Sequence, residues 1–491
     1  MSYNELKSGT DIRGVASDKG GKTVNLTDAA VKDITAAFVL WLSKKIGKKP
    51  SELGIAIGHD SRITADRIKA AAVSELVCAG VHIYDCALAS TPAMFMTTID
   101  LDCDASIQIT ASHHPFDRNG LKFFTKEGGL DSPDLAQVVE IANRSDRAEI
   151  ADGVIEKVDY MTEYARRLRN MICEELGKKE ADKPLAGYKI IVDAGNGAGG
   201  FYANNVLAPL GADTTGSQFL EPDGMFPNHI PNPENKQAME SICSAVIKHK
   251  ADLGIIFDTD VDRAGCVGAD GKEINRNRLV ALASYIAVQS NEGATIVTDS
   301  VTSDGLKTYI EKDLGGKHYR YKRGYKNVIN KAVELCSQGI NCPLAIETSG
   351  HAALKENYFL DDGAYLATKI VIELAKGKKF DEILSTLKMP AEEKEIRLNI
   401  KVDDFRTYGQ TVIAELEKFA AADNNCVIAD DNREGIRVTT PYGWMLLRLS
   451  VHDPVMPLNM ESDDIGGTDK NVEYFKAFFS RFEGLDLSTY H

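Results

Sequence analysis

At 491 residues the chain is long enough for three or four domains of ordinary size, and its 43% hydrophobic and 26% charged residues are globular values. A formal charge of −15 disfavours nucleic acid or an anionic membrane as the main partner, so a phosphate-bearing ligand would need a locally basic site. The polar first residues lack a signal-peptide core, and no uncharged apolar run of about 18 residues occurs. The nine cysteines form no CxxC pair, and a soluble chain in a reducing cytoplasm is expected. In chain order, apolar runs at 54–58, 81–85, 104–109, 189–192, 252–257, 295–297 and 343–346 predict buried strands. Amphipathic stretches at 65–79, 157–176, 237–247 and 326–336 predict the intervening helices. This alternation predicts α/β domains with mixed or parallel sheets. Residues 391–395 (AEEKE) read as a charged linker. Beyond it, strands at 396–402, 435–440 and 444–449 around a helix at 410–421 predict an α+β domain. The expected division is 1–160, 161–272, 273–389 and 390–491.

The residues suited to chemistry fall in short segments at strand ends or turns. Residues 9–14 (GTDIRG) carry Arg13. Residues 109–115 (ITASHHP) put Ser112 where a strand gives way to a loop. His113, His114 and Lys122 follow closely enough to stabilise added negative charge, although a plain Ser/His turn has the same composition. Residues 195–200 (GNGAGG) match GxGxxG without a clear acidic partner about 20 positions on, and read as a structural turn into a helix. Residues 257–263 (FDTDVDR) place Asp258, Asp260 and Asp262 at alternate positions after a strand. Three hard oxygen ligands suit Mg²⁺, and unliganded carboxylates this close would repel; a solvated acidic loop is the alternative. Residues 321–326 (YKRGYK) supply Lys322, Arg323 and Tyr325. Residues 345–351 (AIETSGH) offer Glu347, Ser349 and His351 to sugar hydroxyls. Near the end, Arg448 and Ser450 stand two apart, as a charge-assisted phosphate grip requires, with His452 beyond.

In this order the segments resemble the α-D-phosphohexomutase superfamily, and within it the bacterial phosphomannomutase/phosphoglucomutase branch. The pairing of TASHxP with DxDxDR is the specific core of the resemblance; residues 58–62 (GHDSR), 222–229 (PDGMFPNH) and 361–363 (DDG) support it. It implies three similar α/β domains and a C-terminal α+β domain around a central cleft. It implies that Ser112 carries a phosphoryl group at rest, and that this group binds one Mg²⁺ together with Asp258, Asp260 and Asp262. Arg13, His113, Lys122 and Arg263 would line the reacting centre. Lys322, Arg323, Tyr325, Glu347, Ser349 and His351 would face the substrate, and Arg448, Ser450 and His452 would hold its non-reacting phosphate. The implied reaction interconverts hexose 1-phosphate and 6-phosphate, of mannose or glucose, through a bound 1,6-bisphosphate, in a monomer or homodimer. Lys122 is the expected acceptor of the sugar hydroxyl proton, and His113 the second choice. Glucosamine phosphate as substrate, a bisphosphate-forming phosphotransferase and a phosphosugar-binding protein without turnover are the alternatives. The chain departs from the family pattern at His114 (usually Asn), Thr259 (commonly Gly), Tyr325 (often His) and 450–452, SVH in place of SGT.

Overall fold

The computed structural model describes residues 2–450 and 453–490, in two compact units: 2–279 with 349–381, and 280–348 with the described residues from 382 onward. The larger sheet of the first unit runs Lys7–Ser8, Asp11–Val15, Arg118–Thr125, Ala105–Ile109, Gly54–His59, His82–Leu88, Val154–Lys157. Its last four strands are parallel and its remaining pairings antiparallel. Gly54–His59 is a nearly unbroken apolar run because it is covered on both faces. Helix Asp28–Ile46 starts where Thr27 accepts the Ala30 N–H and stops at Gly47, which has φ +72°. It packs with Ala65–Cys78 and Ser132–Asn143 on the sheet, where Phe38 stacks on Phe123 at 4.4 Å. Burying one such ring contributes about 1.5–3 kcal/mol.

The smaller sheet of this unit runs Ile190–Asp193, Leu253–Phe257, Ala264–Gly268, Glu273–Ile274. Its first pair is parallel and the others antiparallel, with helix Lys236–His249 packed against it. Residues 349–381 add the hairpin Ala352–Leu354 with Leu360–Asp361 and the helix Gly363–Ala375. That helix is tied to Tyr160–Glu175 by Tyr164, whose hydroxyl donates to the Asp362 carboxylate at 2.6 Å.

In the second unit Thr295–Asp299 lies between parallel strands Lys317–Tyr321 and Leu344–Ile346, flanked by helix Tyr325–Ser337. The C-terminal sheet is wholly antiparallel: Val427–Ile428, Ile436–Thr440, Gly443–Leu447, Val455–Ser462, Glu392–Ile400, Leu485–Asp486. Helices Phe405–Ala422 and Gly467–Phe479 cover its apolar face.

The fold is thus α/β with an α+β end, as the element order predicts. One local expectation changes. The charged stretch 391–395 is not a linker but belongs largely to strand Glu392–Ile400, paired with Val455–Ser462. Glu393, Glu395 and Arg397 lie on the open face, while Glu392 and Lys394 begin the face that Ile396, Leu398 and Ile400 bury, so charges on both faces disguise the period-two pattern. Lys122 lies in the antiparallel strand Arg118–Thr125. Among the described residues no helix is long and apolar enough to cross a membrane.

Candidate active site

Ser112 sits in the tight connection between Ala105–Ile109 and Arg118–Thr125, 3% exposed. Its φ of +51° is left-handed, a conformation that surroundings must impose on a non-glycine residue. Its N–H donates to Thr110 Oγ1 at 2.8 Å. Its Oγ donates to Asp258 Oδ2 at 3.3 Å and lies 3.2 Å from His113 Nδ1.

Asp258, Asp260 and Asp262 occupy the turn between Leu253–Phe257 and Ala264–Gly268. One oxygen from each lies within 4.8 Å of the others. The carboxylates converge because Val261 between them adopts a left-handed φ of +67°, costly for a β-branched residue. The turn is gripped from behind. Gly363 donates its N–H to Val261 O at 3.0 Å, and a Cβ on Gly363 would fall 2.6 Å from the Arg263 carbonyl carbon. Gly197 of the GNGAGG turn approaches so closely that its Cβ would lie 2.5 Å from Thr259 O. That segment therefore packs under the acidic loop.

Lys122 Nζ donates to Asp260 Oδ2 at 3.1 Å and Asp262 Oδ2 at 2.5 Å. Arg263 Nε donates to Asp258 Oδ2 at 3.2 Å. Burial, followed by repulsion from Asp262 and Asp260, pushes the Asp258 carboxyl well above its ordinary value. At Asp262 burial acts the same way, but Lys122, with His351 and Arg263, outweighs it and holds the carboxyl well below its ordinary value. Burial and the positive field of Arg263, His114 and Arg13 push His113 down to about 2, leaving a neutral imidazole. Burial and Arg13 likewise push His114 down to about 3.

The donor set fits a hard divalent cation. Asp260 Oδ1 and Asp262 Oδ1 are buried without a hydrogen-bond partner among the described residues, an expensive arrangement unless an ion completes it.

Arg13, in Asp11–Val15, pairs in register with Gly120, two residues from Lys122, and its Nη2 donates to Asp11 Oδ2 at 2.9 Å. Also in the first unit, His351 Nδ1 lies 3.5 Å from Asp361 Oδ2 and 3.9 Å from Asp262 Oδ1, so the ring is grouped with the acidic loop. Burial, helped by Arg263, Lys122 and Arg13 and opposed by Asp262, pushes it down to about 3. Ser349 Oγ is buried without a hydrogen-bond partner among the described residues.

The second unit gathers a different set. Glu347 Oε1 accepts the Gly324 N–H at 2.6 Å, which joins the strand end at Ile346 to the basic loop. Arg323 N–H donates to Glu434 Oε2 at 3.1 Å, and its Nε is 3.9 Å from Asp299 Oδ2. Burial and the nearby Arg323 lower the Arg448 pKa, while Glu434, Glu395 and Asp299 oppose the shift. Ser450 Oγ accepts the Asp453 N–H at 3.3 Å. Lys322 is exposed and Tyr325 opens the helix Tyr325–Ser337. His452 lies outside the described residues.

Sequence reasoning missed several contributors. Thr91 donates its N–H to Asp260 O at 2.8 Å and its hydroxyl to the Asp260 carboxylate. Arg62 and Asp60 hold the serine loop from below. Asp299 and Glu434 sit among the cations of the second unit. The GHDSR motif was the only signal pointing toward any of these residues; the remaining contacts join positions far apart in the chain.

Comparison with known proteins covers nearly the whole chain. Residues 5–149, 162–271 and 275–389 match, in turn, the alpha/beta/alpha domains I, II and III of phosphoglucomutase/phosphomannomutase. A phosphomannomutase/phosphoglucomutase of Pseudomonas syringae pv. tomato is 30% identical over 458 residues, 92% of this chain and 90% of that protein. One from Pseudomonas aeruginosa is 29% identical over 486 residues, covering 97% and 95%. A crystal structure of a phosphoglucomutase/phosphomannomutase family protein from Burkholderia thailandensis superposes with a TM-score of 0.79 at 26% identity, covering 97% of this chain and 98% of that one.

Proposed function

The chain belongs to the phosphoglucomutase/phosphomannomutase family, and on that premise we propose that it interconverts the 1- and 6-phosphates of mannose or glucose through a phosphorylated Ser112. The observation that carries this reading is the Ser112 hydroxyl 3.3 Å from a carboxylate of a buried triple-aspartate cluster. A binding protein would need neither the reactive hydroxyl nor a cluster with two unpartnered carboxylate oxygens.

Phosphoryl transfer depends on in-line positioning and charge neutralisation more than on covalent help. Asp258, Asp260 and Asp262 are the residues that would hold Mg²⁺, which when bound neutralises charge on the transferring group. Lys122 and Arg263 add fixed positive charge beside the same oxygens. Lys122 is ion-paired with Asp260 and Asp262, and His113 Nδ1 lies 3.2 Å from the Ser112 hydroxyl oxygen, where burial makes the imidazole a weak base. Lys122 is kept as the proposed acceptor of the sugar hydroxyl proton, with His113 as the second choice. Arg448, Arg323 and Glu347 are assigned to the substrate's other phosphate and its sugar, with Ser349, Lys322, Tyr325, Ser450 and His452 as further candidates. The phosphoryl group leaves phospho-Ser112 for the free hydroxyl, giving a 1,6-bisphosphate. That molecule turns over and returns its other phosphoryl group to Ser112. The four-part domain division proposed above is supported by family matches that fall within its first three parts.

A coupled assay on glucose 1-phosphate and mannose 1-phosphate, with bisphosphate activator and Mg²⁺, tests the reading. We expect turnover by the wild type and a loss of about 10⁴-fold or more in Ser112→Ala. Intact mass should show a covalent phosphate on the wild type alone. Comparable turnover by both proteins would rule out the relay.

A further inference from the structure

Arg62 lies in the turn that follows strand Gly54–His59, and its side chain is wholly buried. Its Nη1 donates to the carbonyl oxygens of Pro115 and Arg118 at 2.8 and 2.9 Å. Its Nη2 donates to the carbonyl of His114 at 2.6 Å and to that of Ser112. The Nε side faces Asp60 Oδ2 at 3.3 Å. The same Asp60 oxygen accepts the Thr110 hydroxyl at 2.7 Å, and that hydroxyl oxygen accepts the Ser112 N–H at 2.8 Å. One Asp–Arg pair thus holds both the N–H side and the carbonyl of the residue with the left-handed backbone. The arrangement is closed over by residues 222–229. Phe226 lies 5.4 Å from the guanidinium, and a Cβ on Gly224 would come within 2.4 Å of Ser61 O and Ile63 N.

The contacts form a single geometric requirement. Carbonyl oxygens from four residues converge on one planar group, which a fixed fork of N–H donors can satisfy and a lysine ammonium cannot. None of these contacts reaches the Ser112 Oγ or offers a group to a sugar, so, beyond the charge that Arg62 exerts on Asp260, its effect on chemistry passes through the backbone.

We propose that Arg62, held by Asp60 and Thr110, is a positioning residue that fixes Ser112 in its left-handed turn and so aims Oγ along the line of phosphoryl transfer. The inference rests on the mutase reading above. Misplacing a reacting atom by about 1 Å costs roughly 100-fold in rate, while substrate contacts made elsewhere are left intact.

The test compares wild type, Arg62→Lys, Arg62→Ala and Thr110→Val in the coupled assay with glucose 1-phosphate, glucose 1,6-bisphosphate and Mg²⁺, alongside thermal unfolding. Arg62→Lys should lose about 100-fold in kcat with KM within about threefold of wild type. Thr110→Val, which removes only the acceptor of the Ser112 N–H, should lose about tenfold in the same pattern. Added guanidinium ion should restore part of the kcat of Arg62→Ala and none in Ser112→Ala. If Arg62→Lys does not fold, the Thr110→Val split decides alone. An unchanged kcat in the folded variants overturns the proposal, as does a KM that rises in step with the fall in kcat. Wild-type protein without turnover overturns the mutase reading and this proposal together. An active wild type with equally active variants overturns this one only.

Discussion

Around Ser112 three buried carboxylates face two cations, Lys122 and Arg263, whereas in the second unit two guanidiniums, Arg323 and Arg448, lie near each other among Asp299, Glu395 and Glu434. The first region has an excess of acceptors, two of them with no donor among the described residues, a balance that suits a cation. In the second, Arg448 is made less basic by burial and by Arg323, a cost that a bound dianion would remove. Opposite charge balances in a chain of net charge −15 suit the opposite tasks proposed for them, neutralising a transferring group and holding a spectator phosphate.

That contrast makes distinct kinetic predictions. Asp260→Asn removes a carboxylate that Lys122 and Thr91 both address. Its Mg²⁺ half-saturation should rise on the order of 100-fold and kcat should fall about 100-fold, with KM for hexose phosphate little changed. An unaltered Mg²⁺ titration would remove Asp260 from the ligand set. Arg448→Gln should do the reverse, raising KM about 10–100-fold through loss of a charge-assisted contact, with a smaller effect on kcat. A lower kcat at constant KM in that variant would erase the division between the two regions.

The two regions also differ in how much of them could be read in advance. Ser112, His113, the three aspartates and Arg263 sit in windows of a few residues, so local composition was enough to single them out. Glu347 and Arg323 were visible for the same reason. Arg62 stood out only as part of GHDSR, and its role was hidden because its partners lie 50 to 56 positions away and consist of carbonyl oxygens, which residue type does not encode. The left-handed turn at Val261 was equally hidden, since nothing local favours that conformation and the Gly363 contact imposes it from about 100 positions on. Among the elements, the apolar strands were legible through their burial on both faces. Glu392–Ile400 was obscured by charges on both of its faces, Glu392 and Lys394 preceding Ile396 on the buried side.

The contrast extends to pH. In the second unit Glu461 is 7% exposed and accepts the Trp444 indole N–H at 2.9 Å. Burial, then the neighbouring Glu393, pushes its carboxyl up to about 8, against the opposing pull of Arg437. The folded state therefore holds a proton that the unfolded chain releases near its ordinary value of 4.5. The sign is that of a raised group: stability is fully present below 4.5 and lost as pH rises through about 8. Glu461→Gln keeps an acceptor for the indole without the titration. Its Tm should vary less with pH than that of wild type across this window and exceed it by a few degrees at higher pH. Parallel curves would show that Glu461 ionises freely in the fold.

The smallest effect is expected in the first unit, at His229, whose Nε2 lies 3.0 Å from Asp193 Oδ2 with both side chains buried. Burial disfavours the imidazolium, but the hydrogen bond and charge of Asp193 outweigh it and raise the pKa above 6.5. The stabilisation from this pair is therefore complete below 6.5 and declines as pH rises through the folded value. His229→Gln should lower Tm most in mildly acidic buffer and progressively less toward alkaline pH, where the wild-type imidazole is also neutral. A deficit that is constant with pH would mean that the ring contributes only packing, through its edge contact with Phe219 at 5.2 Å. Glu461 and His229 both lose protons as pH rises, but their windows begin about two units apart, near 4.5 and 6.5. The pH at which the Tm difference between wild type and each variant begins to change thus identifies which unit's buried group is responsible, without reference to catalysis.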